Sequence, residues 1–97
     1  MTKAEALARL RAREGELRAL GIEHVSIFGS TARDEATLHS DLDLAIQLRP
    51  GVVTGLAFFG LLDDISTLFD GTVDIVTEPT RNVRLQAEID RDRVRVF

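Results

Sequence analysis

The chain reads as a single α/β domain over residues 1–97. Three observations predict this. Apolar residues recur near the 3.6 period in residues 3–20 and again in 54–69, as amphipathic helices require. Residues 41–48 alternate between apolar and polar, the period-2 pattern of a half-buried strand. Turn-forming residues fall between such segments, at Gly21, Pro50-Gly51, Gly71 and Pro79. A chain of 97 residues leaves no room for a second domain.

The elements follow in order. Ala4, Leu7, Leu10, Leu17 and Leu20 form the apolar stripe of a first helix over 3–20. Gly15 weakens it by roughly 1 kcal/mol relative to alanine, and Gly21 is suited to cap its C-terminus. Arg9, Arg11, Arg13 and Arg18 lie on the polar side, where they serve solubility or meet an acidic partner. His24 to Phe28 is the first strand. His24 reads as a strand-edge side chain, because no second histidine or cysteine pairs with it as a ligand. A short helix starts near Thr31, and residues 35–40 form a loop.

Asp41 to Leu48 is the second strand. Leu42, Leu44, Ile46 and Leu48 face one side of it; Asp41, Asp43, Ala45 and Gln47 face an open side. After the Pro50-Gly51 turn, a helix from Thr54 to Phe69 places Leu56, Phe59, Leu62, Ile65 and Phe69 on its inner side. Phe58 and Phe59 read as core residues before base-stacking ones, and Gly60 as a point of close packing. Gly71 ends this helix, and Thr72 to Thr77 form the third strand. Asn82 to Asp90 form the last helix, with Val83, Leu85 or Gln86, and Ile89 inward. Val94 to Phe97 are a short strand or an extended tail.

Composition narrows the function. The absence of cysteine excludes disulfides and thiolate metal sites and suits the cytoplasm. The N-terminal stretch lacks the apolar core of a signal peptide. The apolar run Gly55–Leu62 is far short of the ~20 residues needed to span a membrane, so no membrane association is expected. The net charge is −4, but unevenly spread: +2 over residues 1–21, −8 over 22–80 and +2 over 81–97. An acidic centre argues against direct nucleic-acid binding, which calls for a basic face. It fits a cation-binding centre between two mildly basic ends. Glu35, Asp63, Asp64 and Asp70 read as solvated surface.

The chemistry concentrates in Gly29-Ser30-Thr31-Ala32-Arg33 and, beyond a loop, Ser40-Asp41-Leu42-Asp43-Leu44. Gly29 supplies a tight turn after an apolar strand. Ser30 is a favoured N-cap, and a helix start attracts phosphate. Asp41 and Asp43, two apart on a strand, share a face about 7 Å apart. Two carboxylates beside a phosphate cradle repel each other and the phosphate. A divalent cation removes that conflict, and Mg²⁺ favours a few carboxylates plus substrate phosphates. Asp74, between Val73 and Ile75, is out of place in an apolar strand unless something binds it or its strand is a sheet edge open to solvent.

Gly29-Ser30, ten residues, then Asp41-Leu42-Asp43 resemble the nucleotidyltransferase pattern G-S-x(8–13)-D-x-D of the DNA polymerase beta-like superfamily. The string GSTARDEATLHSDLDLAI resembles the minimal nucleotidyltransferase (MNT) domain, the antitoxin beside a HEPN-domain toxin. The resemblance covers nearly the whole chain. It implies a small mixed sheet of three core strands flanked by helices, with a short fourth strand possible at the C-terminus. It also implies a third catalytic carboxylate, Asp74, and two Mg²⁺ ions held by Asp41, Asp43 and Asp74. ATP is the implied substrate, with Gly29, Ser30, Arg33 and Ser40 on the nucleotide. Arg33 would point at the phosphates or pair with an aspartate. The implied reaction is transfer of AMP to a tyrosine of a HEPN toxin ribonuclease. The alternative is a module that blocks its partner by binding alone, and a nucleic-acid-extending transferase is a weaker third reading. Two departures stand out. Asp34 occupies the place of the glycine that usually follows the arginine, and Leu38-His39 make the loop less polar than is common.

Overall fold

A computed structural model describes residues 1–37, 40–51, 56–69 and 72–97, and the side chains of all of these except 56–58. The element order is α1 (Lys3–Arg11), α2 (Glu14–Ala19), β1 (Ile22–Phe28), α3 (Gly29–Ala32), β2 (Leu42–Leu48), α4 (Leu56–Ser66), β3 (Val73–Thr77), α5 (Val83–Asp92) and β4 (Val94–Arg95). The strands form one four-stranded sheet in the order β3-β2-β1-β4. β1 pairs antiparallel with β2 and with β4, while β2 and β3 run parallel. The sheet is therefore mixed, and the short fourth strand is present.

The first helix is two. Thr2 caps α1 by accepting the N–H of Glu5, and the helix stops at Ala12. α2 restarts after Arg13, two residues ahead of Gly15, where helix propensity is weakest. Both pieces still bury part of the expected stripe: Leu10 and Leu17 are inside and Leu7 is partly buried, but Ala4 and Leu20 are exposed. Gly21 follows α2 with φ +107, donating its N–H to the Arg18 carbonyl, so it closes the helix as its sequence position suggested.

One face of the sheet carries the larger core. Leu42, Leu44 and Ile46 of β2 join Val25 and Ile27 of β1, Ala6 and Leu10 of α1, Leu17 of α2 and Leu61 and Ile65 of α4. The predicted inner side of the fourth helix holds at three of its four described positions, while the side chains of Leu56 and Phe58 lie outside the described residues. Ile65 and Phe69 are buried and Leu62 partly so, but Phe59 is 67% exposed and Leu61 takes its place inside. A Cβ on Gly60 would meet nothing within 4 Å, so that glycine permits no close contact. The predicted start of this helix at Thr54 and its stop at Gly71 lie outside the described residues, as do Leu38 and His39.

The second face is not left open as expected. α5 lies on it through Ile89 and Leu85, which pack on Phe28, Ala45 and Val76. Asn82 caps this helix, accepting the Leu85 N–H at 3.1 Å. Val83, expected inward, is 83% exposed, because it is the first helical residue and turns away from the sheet. A polar cluster fastens the far end of α5. Arg93 donates to both carboxylate oxygens of Glu78, at 2.8 and 2.5 Å, and to Ser26 Oγ at 3.0 Å. Gln86 Nε2 donates to Glu78 at 2.8 Å.

Candidate active site

Ladder register builds this site. Phe28 stands opposite Asp43 across β1 and β2, and Asp43 opposite Asp74 across β2 and β3. Residues opposite one another share a face, so both aspartates lie on the α5 side of the sheet, beyond the part that α5 covers. Asp41 sits just ahead of β2 and is exposed. Asp74 is exposed too: its strand is the sheet edge, which is how an acid is tolerated between Val73 and Ile75. Asp43 is half-buried.

Gly29 closes the site from the β1 side. It has φ +73, and a Cβ built there would overlap the Asp43 carboxylate, with Cγ only 3.2 Å away. The backbone must therefore be bare at this point for β1 and α3 to lie against the acid. Ser30 is not the N-cap that the sequence suggested. Phe28 occupies that position with no side-chain capping bond, and Ser30 is half-buried within the single turn of α3. Its carbonyl accepts the Glu35 N–H at 2.8 Å. Asp34 takes φ +60, so the turn that a glycine would make is made by aspartate in a left-handed conformation.

Arg33 pairs with two carboxylates. Its Nη1 is 2.5 Å from Asp92 Oδ2 and its Nε 3.2 Å from Glu35 Oε2. Ser40 Oγ accepts the Thr37 N–H at 2.9 Å, shaping the loop before Asp41. A cleft of about 350 Å³ holds Ser40, Thr31, Arg9, Leu42 and Phe69, but none of Gly29, Asp43 and Asp74. It lies on the α1 and α4 side, and the carboxylates meet solvent on the other.

The electrostatics single out Asp43. Burial pushes its pKa from 3.8 to about 6, with further upward pressure from Asp74, Asp41 and Glu88, opposed by Arg33. Glu88, a half-buried residue of α5, was not foreseen from sequence. Neither was Asp92, which lies 59 residues from its partner Arg33. No local signal marks such pairs. Among the described residues, no three histidine, cysteine or acidic side chains gather into a ready-made metal cluster. The donors at hand are carboxylate oxygens, the hard ligands that Mg²⁺ takes. Excess negative charge at Asp43 is what a divalent cation would neutralise.

The sequence profile of the polymerase beta nucleotidyltransferase family matches residues 17–97. A solved minimal nucleotidyltransferase is 33% identical, with a TM-score of 0.77 over 97% of this chain and 95% of that one. A chain of a toxin–antitoxin complex with AMP-PNP is 18% identical, with a TM-score of 0.71 over 90% and 72% of the two chains. A chain of a mutant MntA-HpeT toxin–antitoxin is 14% identical, with a TM-score of 0.65 over 100% and 73%. The last two likenesses carry the fold alone. No curated protein sequence matches the chain. Among the described residues, no helix is long and apolar enough to cross a membrane. The chain thus belongs to the polymerase beta nucleotidyltransferase family, and its fold is that of a minimal nucleotidyltransferase.

Proposed function

We propose that this protein is the antitoxin of a toxin–antitoxin pair and transfers AMP from ATP to a tyrosine of a HEPN-domain toxin ribonuclease, neutralising it in the cytoplasm. The observation that carries this reading is the juxtaposition of Asp43 and Asp74 across the β2–β3 ladder, with the Gly29 backbone against Asp43. Family membership supports nucleotidyl transfer, and the toxin–antitoxin chains that share the fold support the biological setting.

Asp41, Asp43 and Asp74 would hold two Mg²⁺ ions. Bound there, the metals would neutralise triphosphate charge and lower the pKa of an attacking hydroxyl. Gly29 and Ser30 would bind the terminal phosphates through backbone N–H groups, and Ser40 would border the nucleotide. In the transfer a phenolic oxygen bonds to the α-phosphorus, the α–β phosphoanhydride bond breaks, and pyrophosphate leaves. Asp74, exposed on the edge strand, would take the phenolic proton. Such transfers rely mostly on positioning and charge neutralisation, which a small domain can supply.

The chain contains no tyrosine, so the acceptor must come from another protein. Intact-mass spectrometry of both proteins after incubation with ATP and Mg²⁺ tests the reading. The expected result is a partner that gains mass in AMP steps and an unmodified antitoxin. A tight complex with no mass gain would replace the reading with inhibition by contact alone. In a parallel incubation with labelled ATP and RNA, label on the RNA and none on the partner would replace it with a nucleic-acid-extending transferase.

A further inference from the structure

Arg33 belongs to the Gly-Ser-x-x-Arg string, yet its guanidinium is held between Glu35, just beyond α3, on Nε at 3.2 Å and Asp92 of α5 on Nη1. The Asp92 side chain that meets it is 5% exposed, and Asp92 Oδ2 lies 2.5 Å from Arg33 Nη1. Arg91 grips the same carboxylate from within α5, at 3.0 and 3.1 Å. α5 is itself fixed to the sheet by Ile89, which is fully buried, and by the Arg93–Glu78 cluster. At its other end, Arg33 donates its backbone N–H to the Gly29 carbonyl at 3.2 Å, closing the turn of α3. Gly29 in turn lies against the Asp43 carboxylate. A continuous path of contacts therefore runs from Asp92 through Arg33 and the α3 turn to Asp43.

We propose that Asp92 is a positioning residue of the transferase site: by holding Arg33, it fixes the α3 turn against Asp43. Arg33 acts with it as the other half of a tether and is not a phosphate ligand. This rests on the nucleotidyltransferase reading above. It separates two roles for an arginine that the sequence string leaves undivided. A phosphate ligand would bind ATP better when freed from Asp92. A tether would lose its effect whichever end is cut.

The test is a double-mutant cycle in Mg-ATP affinity, read by isothermal titration calorimetry on the whole protein without any partner. Arg33→Ala and Asp92→Ala should each weaken Mg-ATP binding about tenfold or more, the usual range for residues that support a ligand shell. The double variant should be no weaker than the worse single one, because both cuts sever one tether. Arg33→Lys, which keeps a cation for Asp92, should restore most of the affinity. Melting temperatures in chelator serve as the folding control, and Asp92→Asn replaces Asp92→Ala if the latter fails to fold. Additive losses would overturn the inference. So would Asp92 variants that bind Mg-ATP as well as or better than wild type while Arg33→Ala binds poorly, since that pattern makes Arg33 a direct ligand. In both cases wild-type binding leaves the transferase reading standing. A wild-type protein that takes up no Mg-ATP would overturn the reading and the inference together.

Discussion

Asp43→Asn should stabilise the metal-free protein while disabling it. An acid whose folded-state pKa is raised stays protonated in the fold over a range where the unfolded chain has already ionised. Folding then takes up a proton between about pH 4 and pH 6, and stability falls as pH rises through that window. The rise from 3.8 to about 6 is about two units, equivalent to ~3 kcal/mol at ~1.4 kcal/mol per unit. Asp43 is only half-buried, and solvent screening reduces this to about 1–2 kcal/mol. For a chain of this size that is a gain of about 5–10 °C for the asparagine variant at pH 7 in chelator. The gain should shrink toward zero below about pH 4, where the aspartate is protonated in both states. Thermal melts of both proteins across that range and up to neutral pH, with EDTA, measure it. Glu78 also titrates at the acid end, but it is common to both proteins and cancels in the difference. Added Mg-ATP should reverse the order, because only wild type gains the binding contribution. A variant that melts at or below wild type at neutral pH in EDTA would refute the argument. So would a gain that persists undiminished at the acid end of the series.

Three other perturbations probe separate parts of the molecule. Asp74→Ala should abolish AMP transfer yet still bind Mg-ATP, since its proposed role is on the attacking side; titration calorimetry showing complete loss of binding would assign it to the nucleotide instead. Arg93→Ala strands Glu78, whose side chain is 5% exposed and whose pKa is held down to about 2 chiefly by hydrogen bonds from Arg93. It should cost about 3 kcal/mol at pH 7 in urea melts, with the penalty fading as pH falls from 4.5 toward 2 and the carboxyl protonates in the fold. Asp34→Gly relieves a left-handed aspartate at φ +60 and should add about 0.5–1 kcal/mol, measured the same way. A loss there would show that the bond from the Lys3 N–H to Asp34 Oδ1 outweighs the backbone relief.

Where local chemistry decides, the sequence was readable. The alternation of Leu42, Leu44 and Ile46 placed β2 to within a residue, and Gly29 marked the tight turn after β1, where φ is +73. The phase of α4 was not readable. Leu56 to Leu62 is apolar all round, so a rotation of one residue changes which side is buried, and packing chose Leu61 over Phe59. Ser30 looked like a cap because serine often is one, yet the strand ran directly into the turn and left that position to Phe28. The site's most informative contacts depend on register and on long-range pairing. Asp43 meets Asp74 only because β2 and β3 align as they do, and Arg33 meets Asp92 across 59 residues. Neither separation leaves a periodic trace.

The placement of Asp74 on the edge strand bears on solubility as well as chemistry. β3 ends the sheet with backbone groups able to pair with another strand, and the rest of its sequence, Val-x-Ile-Val-Thr, favours such pairing. The exposed carboxylate puts a charge in the middle of that short strand. A second copy approaching edge to edge would bring one aspartate near another without water or metal between them. Inactivating substitutions at this position should therefore carry a second phenotype, a lower concentration threshold for self-association, and a charged replacement such as Asp74→Lys should lose activity without it.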